Sequence, residues 1–132
     1  MSGNLPDRLL LDTNAIIGIL RGHSALLNRA AQAEWIGASV ISYIEFLAFP
    51  DISPDDQALF KRFLSRIDVI DLAFSKPKLI DLAIYLRQMH RIKLPDAIIV
   101  AAAIDNDAIL ITNDQQLLTL CTRCSELRTA AF

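Results

Sequence analysis

Residues 8–14 read Arg8-Leu9-Leu10-Leu11-Asp12-Thr13-Asn14, and the fold is decided there. Three successive leucines give no alternation between a dry and a wet face, so they read as a short strand buried on both sides. A carboxylate closes the strand. The same grammar returns near the other end of the chain, in Ile109-Leu110-Ile111-Thr112-Asn113-Asp114. Strands that are apolar on both faces belong to parallel sheets covered by helices. The sequence between supplies both kinds of element. Helical patterns fall at residues 14–20 and 24–33, and a second buried strand at 35–41. A short helix at 42–48 is stopped by Pro50. Ser53 caps the next helix, with Pro54 at its first position, and it runs to about residue 65. A strand at 67–72 precedes a helix at 75–91 with Leu79, Leu82, Ala83, Leu86 and Met89 on one face. Pro95 opens a helix to about residue 106 that is apolar all round between Ala97 and Ile104, and hence centrally buried. Residues 108–112 read as a strand, 114–120 as a helix and 127–131 as a weak last strand. The expectation is an α/β fold of three layers, α/β/α, with a central parallel sheet of four or five strands and residues 1–132 as a single domain.

Composition narrows the class. Of 132 residues, 53% are hydrophobic, above the roughly 45–50% usual in soluble domains, and there are only 4 glycines and 5 prolines. Disordered, collagen-like and low-complexity chains are excluded. The longest apolar run, Ala97 to Ile104, falls far short of the ~20 residues of a bilayer helix. Met1 to Arg8 holds no basic segment followed by a signal-type apolar run, so the chain is expected to be cytoplasmic and free of membrane. Thirteen Lys and Arg against fifteen Asp and Glu give a net charge of −2, which argues against a simple basic nucleic-acid binder. It leaves room for an enzyme whose acids hold metal ions. Cys121 and Cys124 form a lone C-x-x-C with no second pair to complete a zinc site, and read as free thiols. The apolar surplus, including Phe46, Leu47, Phe49, Phe60 and Phe63, predicts that the helices at 42–48 and 54–65 meet a second copy or another protein.

In parallel sheets the working crevice lies at the carboxyl ends of the strands. Four acids stand at joins between elements: Asp12 after the first strand, Glu45 in the first turn of the helix after the second, Asp96 in the first turn of the apolar helix, and Asp114 after the strand at 108–112. Singly, each has an ordinary explanation. Asp12 serves as an N-cap. Ser42-Tyr43-Ile44-Glu45 reads as a capping box. Asp96 and Asp114 favour the positive ends of helix dipoles. Jointly these explanations fall short, because at least Asp12, Glu45 and Asp114 converge on one edge of one sheet. No Lys or Arg lies between Leu9 and Ile19 or between Ile109 and Leu120 to pair with them locally. Converging carboxylates beside apolar strands call for a counter-charge. A set of oxygen donors alone suits Mg²⁺ or Mn²⁺ better than zinc.

Leu10-Leu11-Asp12-Thr13-Asn14, then Glu45, then Leu94-Pro95-Asp96-Ala97, then Thr112-Asn113-Asp114 resemble the ordered acidic signatures of the PIN domain. The short length is similar to the VapC toxin branch of toxin–antitoxin pairs. The resemblance implies a PIN-like parallel α/β/α fold, one or two bound Mg²⁺ or Mn²⁺ ions, endoribonuclease activity, a homodimer and a small antitoxin partner. It places Asp12, Glu45 and Asp96 at the core acidic positions, Asp114 at the fourth, and Asn14 and Thr112 at polar positions beside them. Two departures stand out. Leu117 and Leu118 follow Asp114 where an aromatic is frequent, and residues 122–132 are an untypical match.

Arg87, His90, Arg91 and Lys93 precede Asp96 and read either as phosphate contacts beside the metal site or as a solvated basic helix end. Arg21 and His23 are weaker candidates for RNA, and Tyr43 and Phe46 are candidates for base stacking or for the core. Two rival functions are weighed. An aspartyl phosphotransferase of haloacid dehalogenase type wants a second Asp two residues after the first, where this chain has Asn14. A PIN-like domain serving only as a non-catalytic interaction module is the other.

Overall fold

The computed structural model describes residues 6–132. Its elements follow in the order β1 (Arg8–Leu11), α1 (Thr13–Leu20), α2 (Ser24–Ala31), β2 (Trp35–Ser39), α3 (Val40–Leu47), α4 (Pro54–Leu64), β3 (Asp68–Ile70), α5 (Pro77–His90), α6 (Leu94–Asp105), β4 (Ile109–Ile111), α7 (Gln115–Leu120) and β5 (Arg128–Ala130). The five strands form one sheet in the order β3-β2-β1-β4-β5, and every pairing is parallel. The expected α/β architecture is therefore present, with five strands.

The leucines of β1 sort to opposite faces because side chains alternate along a strand. Leu10, with Leu110 of β4, packs into a core built from α5, α6 and α7. Leu9 and Leu11, with Ile111, pack into a second core with α1, α2, α3 and α4. All three leucines of β1 are almost fully buried. The middle strand is thus covered on both faces, as its unbroken apolar run requires. Every residue of α6 from Ala97 to Ala103 is buried, so this helix lies inside the structure rather than on its surface. Among the described residues no helix is long and apolar enough to cross a membrane.

Local signals place most helix starts. Ser53 Oγ accepts the Asp56 N–H at 3.0 Å, and Pro54 supplies a preset φ at the first position of α4. The start of α3 differs from expectation. Val40 and Ile41 read as strand, but β3 pairs with β2 only as far as Ser39, opposite Ile70. With no partner beyond, the chain turns, and Ser39 caps α3 by accepting the Ile41 N–H at 3.1 Å. Ser42 therefore lies inside the helix, buried and with no hydrogen-bond partner for its Oγ. The expected capping box with Glu45 does not form, and Glu45 sits a turn deeper in α3 than the first turn. Met89 also departs from expectation, being 64% exposed. The buried stripe of α5 runs through Leu79, Ala83 and Leu86, and its next step falls on the half-buried His90 rather than on Met89. Phe46 and Phe60 stack with ring centres 3.9 Å apart, and Tyr43 lies 5.7 Å from Phe60. These rings tie α3 to α4 as core, which removes Phe46 from the candidates for base stacking.

Candidate functional site

β1 and β4 are neighbours in parallel register, so their carboxyl ends finish side by side. Asp12 follows β1 and caps α1, its Oδ1 accepting the Thr13 N–H at 2.8 Å. Its Oδ2 accepts the Thr112 hydroxyl at 2.7 Å and the Asn14 side-chain amide at 3.4 Å. Thr112, fully buried after β4, also accepts the Asp114 N–H at 3.0 Å. Asn14 Oδ1 accepts the Asn113 N–H at 3.1 Å. Two strand ends are thus laced together by one hydroxyl and one amide.

Asp114 caps α7, its Oδ1 accepting the Gln116 N–H at 2.8 Å and the Leu117 N–H at 3.3 Å. Glu45 comes from α3, where it is exposed, and accepts the Thr13 hydroxyl at 2.9 Å. Asp96 lies half-buried in the first turn of α6. Asp12, Glu45, Asp96 and Asp114 all line one open cavity of about 490 Å³, together with Thr13 and Asn14, and with Phe49 and Pro50 on its apolar side. The ordinary and the functional explanations hold together: Asp12 and Asp114 are caps, and they also converge.

Convergence has an electrostatic cost. Asp12 is 7% exposed, and burial pushes its carboxyl above the ordinary value. Hydrogen bonds from Thr112, Thr13 and Asn14 oppose that rise, and the charge of Asp114 adds to it. Asp96 is raised as well, by burial first and then by Asp114, Asp12 and Glu45 in turn, with Lys93 opposing. The donors are all oxygens and no cation lines the cavity. A hard divalent cation fits such a set in kind and charge. Among the described residues no three His, Cys, Asp or Glu side chains stand close enough to grip an ion as they are. Capping bonds hold Asp12 and Asp114 at their helix starts on the cavity wall.

The basic residues divide. Arg91 and Lys93 line a second cavity, of about 500 Å³, with His90, Gln115, Gln116, Thr119 and Arg123. Arg87 lies exposed on the last turn of α5, outside both cavities. Sequence reasoning missed Arg123 and assigned no part to Thr13, whose hydroxyl holds Glu45. Thr13 was available as the hydroxyl beside Asp12, whereas nothing in the sequence ties Arg123 to Arg91. Cys121 and Cys124 are free thiols, and burial pushes the Cys124 thiol up, away from reactivity.

A family model described as the PIN domain matches residues 9–121. A chain of a toxin–antitoxin complex from Klebsiella pneumoniae is similar at 25% identity and a TM-score of 0.70, over 90% of this chain and 94% of that one. A chain of VapBC2 from Rickettsia felis, bound to a DNA fragment from its promoter, is similar at 23% identity and a TM-score of 0.72, over 94% and 98%. A chain of DNA-bound VapBC from Salmonella typhimurium is similar at 19% identity and a TM-score of 0.71, over 95% and 98%. Comparison with the curated proteins gives no match.

Proposed function

The chain belongs to the PIN domain family, and from that premise we propose that it is a metal-dependent endoribonuclease and the toxin of a toxin–antitoxin pair. The observation that carries the reading is the convergence of Asp12, Glu45, Asp96 and Asp114 on one cavity that no cation lines. These four carboxylates would hold Mg²⁺ or Mn²⁺, as one or two ions. When bound, such an ion makes hydroxide available from water near neutral pH and draws charge from the phosphoryl oxygens. The chain's own residues do the rest. Thr112, Thr13 and Asn14 fix both oxygens of Asp12, so its orientation does not depend on the substrate. Thr13 holds Glu45, the exposed carboxylate, at the cavity's open side. Asp96 from the first turn of α6 and Asp114 from the N-cap of α7 complete the negative wall.

The toxin part of the reading is supported by the neighbours named above as toxin–antitoxin and VapBC complexes. A small antitoxin is the expected partner. Its contact surface is a groove of about 310 Å³ among α1, α3 and α4, where apolar side chains such as Ile17, Leu20, Phe46 and Phe49 are rimmed by the charged Arg21, Asp51 and Asp56. Ile17, Phe49 and Pro50 also line the acidic cavity, so a partner on the groove reaches the site. A homodimer and a cytoplasmic location complete the proposal, and light scattering at micromolar concentration checks the former. A monomeric mass contradicts it.

The test is cleavage of single-stranded RNA by purified protein. Activity with Mg²⁺ or Mn²⁺, abolished by chelation and restored by adding the ion back, supports the reading. No cleavage with either ion, with antitoxin binding intact, assigns the chain to the non-catalytic interaction modules.

A further inference from the structure

An RNA strand that enters a cavity walled by four carboxylates is repelled unless positive charge stands beside it. Among the described residues, five of the basic side chains are spent on ion pairs: Arg8, Arg29, Lys76, Lys78 and Arg128. Arg91, Lys93 and Arg123 have no acidic partner there, and they meet in the second cavity, whose lining includes no carboxylate. Gln115, Gln116 and Thr119 give it amide and hydroxyl donors. The two cavities are lined by neighbouring residues of the same chain segments, Lys93 with Asp96 and Asp114 with Gln115. Lys93 caps the start of α6 three residues before Asp96 and opposes the rise of its carboxyl, and the Gln116 N–H donates to Asp114.

One cation of the three is held at a conformational cost. Arg91 ends α5 with φ 55°, in the left-handed region where a helix usually places glycine. A β-carbon there costs stability without improving the helix end. The side chain it carries projects from a turn that lines the cleft.

We propose that the cleft of Arg91, Lys93 and Arg123, walled by Gln116 and Thr119, binds the backbone phosphates of single-stranded RNA flanking the bond that is cut. The three cations are positioning residues: they hold the strand in register over the acidic cavity and touch no reacting atom. This inference rests on the nuclease reading for its substrate. It adds Arg123 and the face of α7 to the basic residues marked in the sequence.

The experiment compares wild type with Arg91→Gly, Arg123→Gln and the double variant, against Arg62→Gln/Arg66→Gln. The last pair removes the same charge from residues that line neither cavity. Binding of labelled single-stranded RNA is titrated with salt in Ca²⁺, and cleavage is followed in Mn²⁺. Each single cleft variant is expected to weaken binding roughly tenfold, the scale of one charge-assisted hydrogen bond, and the double variant roughly a hundredfold. Each single variant should also lower the salt slope by about 0.7, the value for one phosphate contact on a single strand, and the double variant by about twice that. KM rises while kcat stays within about twofold, because phosphate contacts position the strand. Arg91→Gly keeps or raises the melting temperature, since glycine accepts the left-handed turn. A merely structural Arg91 predicts the reverse pattern, with lower stability and unchanged affinity.

If wild type cleaves but the cleft variants match Arg62→Gln/Arg66→Gln in slope and KM, the cleft proposal is overturned and the nuclease reading stands. If wild type binds without cleaving and the variants lose slope, the cleft holds and the nuclease reading fails. Absence of RNA binding by wild type overturns both.

Discussion

The acidic cavity and the basic cleft sit on either side of the starts of α6 and α7, yet they are built by opposite means. In the acidic cavity Asp12, Glu45 and Asp114 are tied by hydrogen bonds. Asp12 accepts three hydrogen bonds, Thr112 links two strand ends, and Asp114 caps a helix. In the cleft Arg91, Lys93 and Arg123 are exposed and lack ion-pair partners among the described residues. The difference follows from electrostatics. Like charges brought together at buried strand ends need backbone and hydroxyl donors to stay ionised and in place. Long cations at a solvated rim need neither, because water screens them and their stems supply reach. Hydrogen bonds thus hold carboxylates at the strand ends, whereas the cations stand exposed at a rim.

The largest effect expected from this contrast is on the acidic side. Asp12→Asn is predicted to reduce RNA cleavage on the order of a thousandfold, the scale of removing one fixed electrostatic stabiliser, while circular dichroism shows the fold retained. Full activity in both Asp12→Asn and Asp96→Asn would dismantle the site as drawn. Thr112→Val comes next. It removes the hydroxyl that donates to Asp12 and accepts from Asp114, and activity or metal affinity should fall by about 10- to 100-fold. Equal activity in Thr112→Val would show that the lacing of β1 to β4 is not what orients Asp12.

A smaller effect concerns stability against pH. Asp12 and Asp96 have folded-state values above the ordinary 3.8. Below that value both groups are protonated in folded and unfolded chains, and they cost nothing. As pH rises through the window between the ordinary and the raised values, the unfolded chain gives up its protons first. The native state then binds more protons, and stability falls with pH. For the ion-free protein these two groups therefore lower stability at neutral pH relative to a pH just under 4. Asp96→Asn should recover part of it and raise the ion-free melting temperature at pH 7. A drop in that temperature would mean that Asp96 is stabilised by contacts that outweigh its three acidic neighbours. The smallest effect distinguishes two serines on α3, the helix that brings Glu45. Ser39→Ala should cost about 1 kcal/mol as a lost cap, whereas Ser42→Ala should be neutral or stabilising, since its hydroxyl has no partner to lose. Chemical denaturation of both variants checks the order.

The acidic half of this comparison was legible in the sequence and the basic half only partly so. Asp12 and Asp114 directly follow apolar runs that have to be buried strands, and burial fixes where such runs end. Their convergence follows from parallel pairing alone. Asp96 was marked by Pro95 at a helix start. Glu45 was marked by its place after the second strand, but it lies deeper in α3 than the first turn, because α3 starts at Val40; where α3 starts depends on where β3 stops, which the sequence of α3 does not contain. The outward turn of Met89 shows the same limit, since a stripe of apolar residues drifts around a helix and its last member can fall on either side. Arg123 was out of reach for a different reason. It meets Arg91 only because α7 and the turn after it pack beside the α5–α6 connection, and no local pattern encodes that approach. Pairings fixed by strand burial can be read from a sequence, whereas pairings fixed by helix packing have to be seen.

The central claim is that the carboxylates of Asp12, Glu45, Asp96 and Asp114 are held together at a cost that a divalent ion relieves. The melting temperature of the purified protein at pH 7, with chelator and then with millimolar Mn²⁺, tests it most directly. The account predicts a rise with Mn²⁺ in wild type, much reduced in Asp12→Asn and in Asp96→Asn, because an ion that binds only the folded state stabilises it by mass action. An unchanged wild-type melting temperature, or an equal rise in all three proteins, would contradict it.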